Sequence, residues 1–220
     1  MVKQQISNLR SGVRFPHPAP RIYNMDTQTI FGHKIFLSMC FDESVYKNKT
    51  LEDSIEMVYK IPDIQNKVDS SQIGRALTTV DIDLHIANLL GMERLIDWIG
   101  KELKLVANEL SVTKTRYIMP RSWTNRMFKD CEGRCHTHPM QSDGVAIFYY
   151  QVPKNSAELV LIDGGVNGTE HHEYPENKKH FIVPSEGQLI IHSPKVPHAV
   201  SRHNSNDPRT CFIFEFVFID

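Results

Sequence analysis

The chain has 220 residues, 40% of them hydrophobic and 23% charged, with a formal net charge of −1. That size and balance fit one globular domain able to bury a real core, with no basic excess to attract nucleic acid and no acidic tail to gather cations. No apolar run approaches the roughly 18 residues of a membrane span, the opening MVKQQISNLR lacks the apolar core of a secretory signal, and four cysteines are too few for a disulfide scaffold, so the expected compartment is the reducing cytoplasm.

Residues 1–24 read as a disordered tail, because SGVRFPHPAPR carries three prolines and no periodic pattern. Gly-Val-Arg-Phe-Pro followed by Pro-Ala-Pro is also what one reading frame of a tRNA gene's 3′ arm and CCA end would encode. On that expectation Met25 is the true start, and residues 25–220 are the single folded domain.

TIFGHKIFLSMCF (29–41) predicts one extended, mostly apolar segment. KTLEDSIEMVYK predicts a helix opening on a capping-box-like Thr50 and Asp53, with Leu51, Ile55, Val58 and Tyr59 on one face. A longer helix is predicted over 85–110. There Leu89, Met92, Leu95, Ile96, Ile99, Leu103, Val106 and Leu110 form an apolar stripe, and Glu93, Asp97, Lys101 and Glu102 lie off it.

After about residue 115 the texture becomes that of strands. VAIFYYQV (145–152), ELVLID (158–163), HFIV (180–183), GQLIIHS (187–193), HAVSR (198–202) and RTCFIFEFVF (209–218) are rich in β-branched and aromatic residues. DGG, NG and PSEG punctuate them. Phe212, Phe214, Phe216 and Phe218 fall on one side of the last strand. The expected fold is mainly β, a sandwich or barrel braced by N-terminal helices.

Of eleven histidines, three form a constellation. His136 and His138, two apart, point the same way from a strand, and His198 opens another strand sixty residues later. Two close ligands plus a distant one give a three-point site with open positions, as a catalytic metal such as Fe(II) needs. His192 is a further residue that a strand could turn toward the same cavity. His17, His33, His85, His171, His172, His180 and His203 read as ordinary surface or core residues. Cys131 and Cys135 have Cys-x3-Cys spacing with no second pair to complete a zinc knuckle, so they read as an incidental reduced pair.

SWTNRMFKDCEGRCHTHPMQSDGVAIFYYQVP, HFIVPSEGQLIIHSPKVPHAV and RTCFIFEF together resemble the 2-oxoglutarate/Fe(II)-dependent oxygenases of bacteria and phages. The resemblance rests on Trp123, Asn125, Gly133, His136, His138, Pro139, Gly144, Val145, Pro184, Gly187, Leu189, Pro197, His198, Val200 and Arg209, in that order. It implies a double-stranded β-helix (jelly-roll, cupin-like) holding Fe(II) through His136, His138 and His198, with 2-oxoglutarate as cosubstrate. The better-known members of the wider superfamily carry a carboxylate where His138 stands, so the third ligand here is neutral. Asp143 is the alternative carboxylate. Arg209, at the opening of the last strand, would hold the distal carboxylate of 2-oxoglutarate with its planar fork, with Arg202 and Lys195 as runners-up. Asn125 and Tyr149 would line the pocket.

The implied reaction is hydroxylation of an unidentified substrate, with 2-oxoglutarate decarboxylated to succinate. Two other classes stay open: a cupin-type metal enzyme without 2-oxoglutarate, and a barrel that only binds or supports. The polar loop 163–179 is expected near the mouth, as a lid over the unknown primary substrate.

Overall fold

The computed structural model describes residues 25–66, 72–80, 82–114, 116–164 and 170–220, so the expectation for residues 1–24 lies outside the described chain. The run that reads as one extended segment is a hairpin. Strands β1 (Asp26–Ile30) and β2 (His33–Met39) pair antiparallel with Ile30 opposite His33. Phe31 (φ 50°) and Gly32 (φ 78°) both take the left-handed conformation. Such two-residue turns match the right-handed twist of the flanking strands. Only the glycine advertises the turn, and Phe31 conceals it.

Helix α1 (Lys49–Tyr59) buries Leu51, Ile55, Val58 and Tyr59, as expected. Its cap is Asn48 rather than Thr50: the Asn48 Oδ1 accepts the Leu51 N–H at 2.9 Å. A short α2 (Pro62–Gln65) follows. The long helix α3 (Glu93–Glu109) starts eight residues later than the periodicity predicts. Gly91 (φ +87°) breaks the chain before it, and Ile86–Asn88 is a separate 3-10 turn. Glu102, expected in solvent, is buried, and burial pushes its carboxyl pKa up.

The remaining strands are β3 (Gln72–Ile73), β4 (Ala76–Thr78), β5 (Arg116–Met127), β6 (Glu132–His136), β7 (Gly144–Gln151), β8 (Leu159–Ile162), β9 (Lys179–Ile182), β10 (Gln188–His192), β11 (His198–Val200) and β12 (Arg209–Ile219). They build two antiparallel sheets. The major sheet runs β1-β2-β10-β7-β12-β5-β4 and the minor sheet β3-β6-β11-β8-β9. This is the jelly-roll arrangement, with the helices on the outer face of the major sheet.

Strand alternation separates two cores. On β12, Phe212, Phe214, Phe216 and Phe218 pack outward against Leu51, Ile55, Leu95, Ile99 and Leu103 of the helices. Cys211 and Ile213 point inward, where they meet Ile147 and Tyr149 of the major sheet and Leu159 and Leu161 of the minor sheet. The phenylalanines are therefore core under the helices and not a wall of the inner cavity. Arg209 and Glu215 share the inward parity of β12.

Gly144 shows how closely the outer layer is packed. A Cβ there would lie 2.3 Å from the ring of Phe216, which is 1% exposed and cannot swing away. Gly144→Ala is expected to destabilise the fold by about 1–3 kcal/mol through overpacking. Thermal melting would check this, and an unchanged Tm would refute it.

A candidate metal centre between the sheets

The register of the minor sheet brings the first two histidines together. His198 on β11 lies directly opposite His136 on β6. The register then shifts between His198 and Val200, which pairs with Gly133. This bulge re-aims the side chains of β6. Gly133 and His136 both line the inner cavity, whereas Cys135 packs on the outer face with Val160, Ala199 and Tyr174. His138 follows β6 and is held by its backbone N–H, which donates to the Pro194 carbonyl at 3.0 Å.

His136, His138 and His198 each offer one ring nitrogen, and these three atoms lie within 4.8 Å of one another. Each Nδ1 faces an oxygen that can only accept: the Arg134 carbonyl for His136 (2.8 Å), the Glu215 carboxylate for His138 (3.0 Å) and the Val196 carbonyl for His198 (3.0 Å). In the neutral rings this places the proton on Nδ1 and leaves each Nε2 its lone pair. Nε2 of His138 and Nε2 of His198 are 3.4 Å apart, with the two rings nearly parallel. Two lone pairs facing each other in a buried site repel unless a cation lies between them. Two imidazoles bound to one ion at about 2.1 Å and a right angle would stand about 3 Å apart. The three residues fit a metal ion. Burial, then the neighbouring imidazoles, holds the His198 pKa well below its usual value. Neutral rings are what a metal requires.

Two further groups stand beside the triad, and of these the sequence suggests only His192. Glu215 is 3% exposed and lies between His138 and Arg121, whose Nη1 is 3.5 Å away. A carboxylate holding the far nitrogen of a histidine orients the ring and strengthens its lone pair. The available signal is the one acidic residue inside an aromatic strand, in phase with Arg209. His192 is 1% exposed, its ring 4.8 Å from that of His198, and burial pushes its pKa down to about 3. Its Nδ1 is bonded to the Ser193 carbonyl, and its Nε2 has no partner. Trp123 closes the site by stacking on His138 at 5.6 Å.

Arg209 is 2% exposed at the start of β12. Its Nη1 meets only sulfur, Met127 Sδ at 3.3 Å and Cys211 Sγ at 3.7 Å. The guanidinium lies 5.0 Å from the centre of the Tyr149 ring. Arg209 Nε and the Tyr149 hydroxyl have no hydrogen-bond partner, and burial pushes the Tyr149 pKa up to about 12. Among the described residues no carboxylate pairs with this buried cation. Asn125 also faces the cavity; its Oδ1 accepts from the Thr78 hydroxyl, which leaves its NH2 as the group it can offer.

All six residues named from the sequence line one cavity of about 330 Å³. The competing residues are elsewhere. Asp143 caps the end of β12, its Oδ2 accepting from the Phe218 N–H at 2.8 Å. Arg202 is exposed and pairs with Asp130 at 3.1 Å, and Lys195 is exposed. The described part of the 163–179 loop does not line the cavity, since Tyr174 packs on the outer face of the minor sheet. A groove of about 400 Å³ adjoins the cavity through Val80, Arg121 and Trp123. Among the described residues no helix is long and apolar enough to cross a membrane.

A jelly roll whose cavity gathers three imidazoles beside a buried guanidinium offers donors suited to a metal ion and a cation suited to an anion. Residues 121–215 match the family model described as "Putative 2OG-Fe(II) oxygenase". This stretch is similar to the 2-oxoglutarate/Fe(II) oxygenases, enzymes whose cofactors are Fe(II) and 2-oxoglutarate. A Pseudomonas putida prolyl-4-hydroxylase has the same fold at 14% identity and TM-score 0.52, over 86% of this chain and 94% of that one. So does a Trichoplax adhaerens prolyl hydroxylase, solved with a hypoxia-inducible-factor peptide, at 14% identity and TM-score 0.54 over 84% and 83%. A 2OG-Fe(II) oxygenase family oxidoreductase from Burkholderia pseudomallei aligns over 59% of either chain at 18% identity and TM-score 0.46. No curated protein matches the chain.

Proposed function

We propose that the chain is a hydroxylating oxygenase in which Nε2 of His136, His138 and His198 hold Fe(II), and Arg209 binds the distal carboxylate of 2-oxoglutarate. The observation that carries this reading is the pairing of two features in one cavity: three imidazoles close enough to share one cation, and a buried guanidinium that no carboxylate among the described residues pairs with. A buried charge without a partner is costly, so a carboxylate that reaches Arg209 is bound strongly. The Tyr149 hydroxyl and the Asn125 NH2 add donors to the same pocket.

Bound in this cavity, Fe(II), 2-oxoglutarate and O2 supply the oxidising power for C–H hydroxylation, with succinate and CO2 as coproducts. The protein's own residues set the geometry. Arg209 fixes one end of the cosubstrate, Glu215 holds the His138 ring, and Trp123 and Ile213 keep water from the reacting centre. The primary substrate enters along the groove beside Arg121, a cation at its edge. Residues 25–220 act as one domain, working in a bacterium or phage-infected cell. Four buried free cysteines suit a reducing cytoplasm, and the absence of a basic excess argues against nucleic acid as partner.

Anaerobic titration of the iron-loaded protein with 2-oxoglutarate should develop a metal-to-ligand charge-transfer band, and admitting O2 should release succinate. Iron binding with neither band nor succinate would move the protein to the cupin-type enzymes that do without 2-oxoglutarate. No iron binding at all would leave a non-catalytic barrel.

A further inference from the structure

The bulge that turns His136 inward leaves Glu132, at the other end of β6, beside the segment that crosses the outside of the minor sheet. Glu132, His171 and His172 offer ligand atoms that all lie within 4.8 Å of one another. The Glu132 carboxylate is 3.9 Å from His171 Nδ1, and that nitrogen is buried without a hydrogen-bond partner. Glu170 brings a second carboxylate, its Oε2 lying 3.0 Å from His172 Nε2. The nearby Lys179 is neutralised by Glu176 at 2.6 Å. A buried imidazole nitrogen with no partner beside a carboxylate is unsatisfied as it stands. A divalent ion placed among the three groups would satisfy it.

We infer that the outer face of the minor sheet carries a second divalent-metal site, formed by Glu132, His171 and His172. Two imidazoles and a carboxylate make a mixed nitrogen and oxygen donor set of the kind zinc takes, and two acidic side chains within the cluster balance its charge. The site is separate from the iron centre. Glu132 and His136 are four residues apart on one strand, roughly 12 Å in extended chain, with the bulge between them. Metal at the outer site would tie the 170–174 segment to β6, the strand that also carries His136. Tyr174 reinforces the same attachment through its contact with Cys135.

Equilibrium dialysis of the metal-stripped full chain against Zn²⁺, with bound metal counted by mass spectrometry, tests the inference. The inner triad also accepts zinc, so wild type should hold two ions, each at micromolar affinity or better. Both His171→Ala and His198→Ala should hold one, and the double variant none. One ion in wild type that His171→Ala still holds, or two in His171→Ala, would overturn the inference, as would outer-site binding only near millimolar zinc; one ion that His171→Ala loses would count against the inner triad. Two ions in His198→Ala would instead count against the inner triad. Hydrogen exchange on wild type guards against misfolded variants. Zinc should slow exchange in residues 170–174 at least tenfold, even with the inner site preloaded with Fe(II) under anaerobic conditions, and no slowing there would also overturn the inference.

Discussion

Arg209→Met is expected to weaken 2-oxoglutarate binding by on the order of 100-fold or more while raising the melting temperature of the cofactor-free protein. Both effects have one origin. In the cofactor-free cavity the guanidinium is buried among Met127, Cys211 and Tyr149 with no carboxylate to meet it. Removing one partner of a buried charge pair costs about 2–5 kcal/mol of binding, or roughly 30-fold upward. Replacing a buried charge by an apolar side chain of similar length often stabilises by about 1–4 kcal/mol. A thioether suits a pocket already lined with sulfur and an aromatic ring. At about 2–4 °C per kcal/mol for a chain of this size, the gain is visible by calorimetry. Fe(II) affinity without cosubstrate should hold, because Arg209 touches none of the three histidines. If Arg209 were only a structural residue, the opposite pattern would appear: a lower Tm and unchanged affinity for 2-oxoglutarate.

The parts of the site legible in the sequence are those fixed by short-range geometry. Arg209 heads a strand whose alternation is plain, so its direction follows from the period of the strand; His136 and His138 do not share one strand as expected, since β6 ends at His136 and the bulge in β6 and the Pro194 contact set their directions. Strands β7 to β12 were also readable, because the apolar and aromatic runs that form them are continuous, whereas β3, β4 and β5 were not. Three things were hidden. The hairpin at Phe31-Gly32 carries a bulky residue where turns favour small polar ones. The start of α3 lies inside a stripe whose apolar spacing continues across the Gly91 break, because Leu89 and Met92 pack against the same core from a non-helical backbone. Glu215 becomes part of the site only through contacts between distant strands. Nothing local separates Glu215 from an ordinary surface carboxylate, except that its neighbours on β12 are almost all buried.

Position 138 carries no carboxylate, but a buried carboxylate, Glu215, stands behind its imidazole. In His-x-Asp/Glu…His centres the carboxylate touches the metal and contributes its charge directly. With iron on the proposed triad, Glu215 would deliver that charge through the His138 ring, at 3.0 Å from Nδ1. Glu215→Gln keeps an oxygen able to accept from Nδ1 but removes the charge, and is expected to lower Fe(II) affinity by about 10–100-fold. His138→Asp alone should do worse, by at least about 100-fold, because the new carboxylate stands in a buried space already occupied by Glu215, and like charges there repel. Combining the two changes leaves one carboxylate in direct reach of the metal and a neutral amide behind it. His138→Asp/Glu215→Gln should therefore recover most of the loss, with a favourable coupling of about 2–3 kcal/mol in the double-mutant cycle. Arg121, 40% exposed in its side chain, loses an ion pair of small worth and does not alter that sign. Fe(II) affinity of the four proteins, measured anaerobically, decides the matter. Additive losses would show that Glu215 does not act on the metal through His138, and that the third imidazole works without a carboxylate behind it.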